Sequence, residues 1–71
     1  MTKKQKTIIK DRLRNGESVD LENNESCFII FNGYNGRFCL EMNAKIIKST
    51  KTLKTIFDKL EKEGAEILPF Q

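Results

Sequence analysis

The sequence predicts an α+β fold: a single small domain over residues 1–71, in the order α-β-β-β-α, with two helices on one face of a three-stranded antiparallel sheet. Two apolar segments flank a doubled Asn-Gly signal, which is typical of a β-hairpin because both residue types tolerate positive φ. A later segment repeats apolar residues at helical spacing. A chain of 71 residues has the size of one domain with one core.

The first helix is predicted from Thr2 to Asn15, with Gly16 as its left-handed cap. Residues 17–22 then alternate polar with apolar side chains, which predicts a short strand with Val19 and Leu21 turned inward. Residues 23–26 form a polar turn. The expected sheet is therefore a meander of strands over residues 18–22, 26–32 and 37–43.

The hairpin from Cys27 to Met42 admits two registers. A two-residue turn at 35–36 pairs Phe31 with Leu40, and a four-residue loop at 33–36 pairs Phe31 with Phe38. The registers differ by two residues, so both leave the same side chains on the same face. The expected core face consists of Cys27, Ile29, Phe31, Phe38, Leu40 and Met42. The expected open face consists of Phe28, Ile30, Asn32, Cys39 and Glu41, with Tyr34 and Arg37 near the turn.

Residues 44–48 either extend the third strand or open the second helix. The second helix begins with Ser49 or Thr50 as N-cap and ends at Gly64. Its apolar stripe consists of Leu53, Ile56, Phe57 and Leu60. Asp58 with Lys62 and Lys59 with Glu63 are the expected i,i+4 pairs. In the tail, Ile67, Leu68 and Phe70 are expected to lie against the domain, as a short edge strand or as a cover for the open sheet face.

The two cysteines are expected to be reduced, because Cys27 and Cys39 point to opposite faces in both registers. The chain has no histidine and no third cysteine, so no zinc-ligand set is expected. No apolar segment approaches the length of about 20 residues that a membrane span needs. A signal peptide has an apolar segment after its basic start, and no such segment follows the basic residues here. These features predict a cytoplasmic protein without a membrane partner.

The basic residues give the clearest indication of function in a chain whose net charge is +3. Residues 1–14 are strongly basic and residues 15–43 are acidic, which gives a dipolar surface. One edge of the first helix carries Lys3, Lys6, Lys10 and Arg14. The approach to the second helix carries Lys45, Lys48, Lys51 and Lys54. Lysines and free N–H groups at a helix start bind phosphates, so we expect contacts to nucleic-acid phosphates without strong base preference.

A lysine-bearing second helix after α-β-β-β resembles the layout of double-stranded-RNA-binding domains. The resemblance covers the order of the elements and the approximate length. It implies that Lys48, Lys51 and Lys54 match the lysine cluster at that family's second helix. The loop between the first two strands departs from the family, because residues 23–26 read Asn-Asn-Glu-Ser in place of a Gly-Pro-His type probe.

No catalytic activity, cofactor or small-molecule substrate is expected, because the sequence has no histidine, no Gly-rich phosphate loop and no nucleophile motif. The alternative function is a phage- or plasmid-type inhibitor or adaptor, consistent with a Lys-, Asn- and Ile-rich composition typical of AT-rich genomes. Such a protein would bind a protein partner through Phe28, Ile30 and Tyr34 on the open sheet face. Its candidate phosphate mimics are Glu17, Asp20, Glu22, Glu25 and Glu41. Exposure of Phe28 and Ile30 would also favour a homodimer.

Overall fold

The structure, a computed structural model, describes residues 1–68. Its elements are α1 (Lys3–Arg14), β1 (Val19–Glu22), β2 (Cys27–Asn32), a 3₁₀ turn (Tyr34–Gly36), β3 (Phe38–Met42), β4 (Lys45–Thr50), α2 (Leu53–Glu63) and β5 (Glu66–Ile67). The five strands form one antiparallel sheet in the order β4-β3-β2-β1-β5. The α+β class is confirmed, whereas the prediction of three strands in the order α-β-β-β-α is wrong. The additional strands on either side of α2 also depart from the layout of double-stranded-RNA-binding domains.

Helix α1 forms as the sequence predicts. The Thr2 hydroxyl accepts a hydrogen bond from the Gln5 backbone N–H at 3.1 Å, and the Gln5 side chain accepts one from the Thr2 N–H at 3.3 Å. This capping box satisfies backbone donors that an open helix start leaves without partners. Ile9 and Leu13 are buried against the sheet, and Gly16 follows the helix with φ +80°.

Strand β4 resolves the ambiguous segment before α2. Asn43 and Ala44 both have positive φ, at 51° and 72°, as a two-residue type I′ hairpin turn requires. The turn carries the chain directly back along β3, so that Thr50 pairs with Phe38. The predicted N-cap at Ser49 or Thr50 is therefore wrong, because both residues belong to β4 and Thr52 is the N-cap.

The hairpin between β2 and β3 has a register that falls between the two predicted ones. Asn32 pairs with Phe38 and Ile30 pairs with Leu40, which leaves a five-residue loop over residues 33–37. The Gly33 N–H donates to the Arg37 carbonyl oxygen at 2.8 Å and closes this loop. A change of one residue in register turns a whole strand over. The loop length therefore reverses β2 relative to the prediction.

The reversal exchanges the two faces of β2. Phe28 and Ile30 are 0% exposed in the core, so their predicted place on the open face is wrong. Cys27, Ile29 and Phe31 lie on the open face instead, and Asn32 donates to the Leu13 carbonyl oxygen on the helical side at 2.7 Å. The exposure that was expected to drive dimer formation through Phe28 and Ile30 is therefore not present.

The faces of β3 agree with the prediction. Phe38 and Met42 pack against the core around Leu40, whereas Cys39 and Glu41 lie on the other face. Both cysteines consequently share the open face, contrary to the prediction. Cys39 pairs with Phe31, which lies four residues from Cys27, or about 13 Å along a strand. Both thiols are free.

The core lies between the two helices and one face of the sheet. Its fully buried side chains come from both helices and from β1, β2 and β3: Phe28, Ile9, Leu21, Ile30, Leu40, Ile56, Leu60 and Val19. The opposite face has no helix against it among residues 1–68.

The two edges of the sheet are β4 and β5. A register irregularity opposite Leu40 and Glu41 interrupts β4, and β5 consists of two residues. Ile67 pairs with Leu21 at the sheet edge and packs against the core, so it does not cover the open face. The prediction for Phe70 lies outside the described residues. No helix in the described part of the chain is long and apolar enough to cross a membrane.

Candidate functional site

The structure brings half of the predicted basic residues to one groove between α1 and the start of α2. We call this the basic groove and define it by its four lysines, Lys6, Lys10, Lys51 and Lys54. Its volume is about 510 Å³, and Phe38, Leu53 and Phe57 contribute apolar surface to it. The four cations come from segments more than 40 residues apart in the sequence.

The helices meet so that the start of α1 lies beside the end of α2. The Lys6 ammonium is 3.0 Å from a Glu61 carboxylate oxygen, and the N-terminal ammonium of Met1 is 4.0 Å from the same oxygen. Lys6 and Lys10 are one helical turn apart and share a face of α1. Continuing along α1 toward its C-terminus, this face approaches the start of α2, where Lys51 and Lys54 lie.

Phe57 gives the groove a buried apolar floor. Its ring is 5% exposed, and the Lys6 ammonium lies 5.7 Å from the ring centroid. This distance is within the range of a cation–π contact. The Lys6 ammonium therefore has two neighbours that attract it, the Phe57 ring and the Glu61 carboxylate.

The four lysines differ in how far neighbouring carboxylates offset their charge. Lys6 bonds to Glu61 and Lys54 bonds to Asp58 at 3.1 Å. Within residues 1–68, Lys10 and Lys51 form no salt bridge, and both side chains are exposed. Lys10 and Lys51 are therefore the two lysines of the groove whose charge no carboxylate in a salt bridge offsets in the described residues.

The start of α2 adds backbone donors to the same groove. Thr52, the N-cap, makes no side-chain capping hydrogen bond, and the first turn contains no acidic residue. An uncapped helix start presents free N–H groups and a partial positive charge. Because Thr52, Leu53 and Lys54 line the groove, these donors lie beside the lysines.

The other predicted site residues lie elsewhere. Lys3 and Arg14 are exposed on α1 but do not line the groove, and Arg14 bonds to Asp11 at 3.4 Å. Lys48 lies on the other side of α2, near Lys59 and Lys62. The remaining predicted residues are Lys45 at the start of β4, Tyr34 at 91% exposure in the β2–β3 loop, and Phe28 and Ile30 in the core.

The apolar patterns predict Phe38 and Phe57 as core residues, and their contribution to the groove is a finding of the structure. The predicted pair of Asp58 with Lys62 is wrong, because Asp58 pairs with Lys54 at 3.1 Å. The predicted Lys59–Glu63 pair is confirmed at 3.1 Å. The helical spacing of Lys54 and Asp58 was a signal for their pairing. No local sequence signal places Phe38 in the same groove as the lysines of α1, because that placement depends on the sheet.

A larger concave region, of about 690 Å³, lies at the opposite end of the molecule. It is lined by the β1–β2 turn and the end of α2 and includes Glu22, Glu25, Glu63 and Glu66. Over residues 1–68, no group of three or more histidine, cysteine, aspartate or glutamate side chains is placed to hold a metal ion.

The fold and groove define a small α+β domain with a five-stranded antiparallel sheet and a basic helical side. Compared with protein-family models, with curated proteins and with solved structures, the chain has no significant match.

Proposed function

We propose that the protein binds nucleic acid by its backbone phosphates, with the basic groove as the contact site. The observation that carries this proposal is the convergence of Lys6, Lys10, Lys51 and Lys54 around one groove. Lysines on solvated helices need not converge in this way. Here the packing of α1 against α2 and the return of β4 concentrate four cations beside an uncapped helix start.

The chemistry of the groove favours contacts to phosphate over contacts to bases. A lysine ammonium is a compact point charge that binds phosphate oxygens without a preferred planar geometry. The apolar floor offers no hydrogen-bond donor or acceptor from Phe38, Leu53 or Phe57 side chains. Base edges are distinguished by patterns of donors and acceptors, so the groove binds the charged backbone with weak dependence on sequence.

Asp58 and Glu61 oppose this binding and set its strength. The groove carries four lysines with Asp58 among its lining residues and Glu61 at its border. A phosphate that enters competes with these carboxylates for Lys54 and Lys6, whereas Lys10 and Lys51 are available at once. Binding is therefore moderate in strength and strongly dependent on salt, because each phosphate contact releases counterions.

Fluorescence anisotropy with labelled duplex DNA, duplex RNA and single strands, measured over a range of salt concentrations, tests the proposal. The decisive variant is Lys10→Gln with Lys51→Gln, since both side chains are exposed and neither forms a salt bridge within residues 1–68. Removing two phosphate contacts should weaken binding to nucleic acids of every sequence. It should also reduce the magnitude of the slope of log affinity against log salt concentration by about 2.

The matched control is Lys4→Gln with Lys62→Gln, which removes two exposed lysines outside the basic groove. It has the same net charge as the groove variant. Equal loss of affinity in the two variants would show that only overall charge matters and would contradict a defined site. Absence of binding by the wild-type protein to every nucleic acid at low salt would contradict the function itself.

A further inference from the structure

The face of the sheet opposite the helices combines apolar and acidic side chains. We call it the open sheet face and define it by Ile29, Phe31 and Ile46, which are apolar, and Asp20, Glu22, Glu41 and Glu66, which are acidic. Ile29 pairs with Glu41, and Glu41 pairs with Ile46. In this row of paired residues, which begins with Asp20 opposite Ile29, acidic and apolar side chains therefore alternate from β1 to β4.

The central strand is apolar on both of its faces. Phe28 and Ile30 point into the core, while Ile29 and Phe31 lie on the open sheet face. Strands that are apolar on both faces are typical of sheets covered on both sides, whereas a solvated face normally alternates with polar residues. At the β4 edge, Ile46 is 60% exposed. The composition of β2 and β4 thus fits a sheet that receives a second layer.

The charge on this face restricts what that layer can be. In the part of the chain that the structure describes, Glu22, Glu41 and Glu66 form no salt bridge. The cation of the β2–β3 loop, Arg37, is engaged by β4, since its guanidinium donates to the Ser49 hydroxyl at 3.0 Å and to the Ser49 carbonyl oxygen at 2.7 Å. A layer with lysine or arginine side chains would supply the missing counter-charges.

The same charges disfavour a second copy stacked face to face. In such a dimer, the carboxylates of one copy would be buried against those of the other, which costs free energy because like charges repel where water is excluded. We propose that the open sheet face docks a protein segment whose apolar side chains are flanked by lysine or arginine. An amphipathic basic helix has suitable dimensions, since its diameter of about 10–12 Å matches the roughly 10 Å between β2 and β4.

The test uses ¹⁵N-labelled protein and two synthetic probes. One is an amphipathic helical peptide of leucine and lysine, and the other is the same peptide with glutamate in place of lysine. The lysine peptide is expected to shift the backbone amide resonances of Ile29, Phe31, Glu41 and Ile46. The glutamate peptide is expected to leave them unchanged.

Variants then distinguish binding at the open sheet face from attraction to any acidic residue of the protein. Glu22→Gln with Glu41→Gln should raise the Kd of the lysine peptide about fivefold, the effect of losing two exposed ion pairs. Glu17→Gln with Glu25→Gln removes the same charge from two exposed residues that lie between elements, and should leave the Kd unchanged. Ile46→Thr should also weaken binding, and because Ile46 is mostly exposed the variant should keep its fold.

Three outcomes would overturn the proposal. The first is that the lysine peptide does not bind, or that it shifts the amide resonances of the helices and leaves those of the open sheet face unchanged. The second is an equal effect of the two glutamate-to-glutamine pairs. The third is a shift of the same amides with increasing protein concentration and no peptide, which would make a second copy the occupant. None of these results depends on whether the basic groove binds nucleic acid.

Discussion

The ammonium group of Lys6 lies 3.0 Å from a carboxylate oxygen of Glu61, and this salt bridge joins the start of α1 to the end of α2. Both side chains are more than one third exposed, so the pair contributes less than about 1 kcal/mol to stability. Its larger effect is on the availability of Lys6 to an external anion, because Glu61 already pairs with this lysine of the basic groove.

The first prediction is that Glu61→Gln strengthens nucleic-acid binding by about two- to fivefold at low salt. Removal of the carboxylate frees Lys6 for phosphate and removes a nearby negative charge. Glu63→Gln is the matched control, since Glu63 bonds to Lys59 at 3.1 Å in a pair outside the groove. Anisotropy titrations of both variants check the prediction. Equal affinities for the two variants would contradict a specific role for Glu61.

The second prediction concerns the register of the β2–β3 hairpin. Ile30→Val should lower the free energy of unfolding by about 0.5–1.5 kcal/mol, because it removes a fully buried methyl group. Ile29→Val, the adjacent residue on the open sheet face, should have a smaller effect. Urea denaturation followed by circular dichroism measures both. A larger loss of unfolding free energy for Ile29→Val than for Ile30→Val would indicate that Ile29 is the buried residue, as in the two registers predicted from the sequence.

The third prediction concerns the close approach of Gly33 to Cys39. A Cβ atom on Gly33 would lie 2.7 Å from the Cys39 sulfur, so Gly33→Ala should destabilise the protein by about 1–3 kcal/mol through overpacking. Cys39→Ala in the same molecule should recover part of this loss, because it removes the obstructing atom.

Gly36→Ala serves as the control for that prediction. Gly36 has φ +71° and open space around its Cα, so alanine there costs about 1 kcal/mol through backbone conformation alone. Cys39→Ala should not recover the loss at Gly36. Thermal unfolding of the single and double variants gives the coupling energies, and equal recovery at the two glycines would contradict the steric explanation.

The fourth prediction is that Ala44→Gly stabilises the protein by about 0.5 kcal/mol. Ala44 adopts φ +72° in the turn between β3 and β4, a conformation that costs an alanine about 1 kcal/mol and a glycine much less. The greater entropy of glycine in the unfolded chain offsets part of the gain. Chemical denaturation measures the difference. A destabilised variant would indicate that the turn does not require positive φ at this residue.

The helices and the central meander could be predicted from the sequence because their signals are local. Thr2 and Gly16 mark the ends of α1, and Gly64 marks the end of α2 through its positive φ. The faces of β2 could not be predicted from its composition, because residues 27–31 are apolar on both parities. The length of the β2–β3 loop determines which face of β2 is buried. The Asn-Gly signals predict a loop of two or four residues, whereas the observed loop has five residues.

Strand β4 was ambiguous for a different reason. Its turn, Asn43-Ala44, lacks the glycine that usually marks a type I′ turn, and its register irregularity breaks the alternation of side chains. The lysines of the basic groove were each predicted from the sequence to contact phosphates. Their convergence could not be predicted, because it depends on β4 bringing Lys51 back to the end of the sheet where Phe38 begins β3.

The irregularity between Leu40 and Glu41 also limits the lateral growth of the sheet. An exposed, regular edge strand offers its unpaired N–H and C=O groups as a template for further chains. Here the β4 edge is broken by the irregularity and carries Lys45 and Lys48, while the other edge is a strand of two residues. These features disfavour the addition of further strands at either edge. The open sheet face can therefore remain exposed to solvent at high protein concentration without formation of fibrils through the sheet edges.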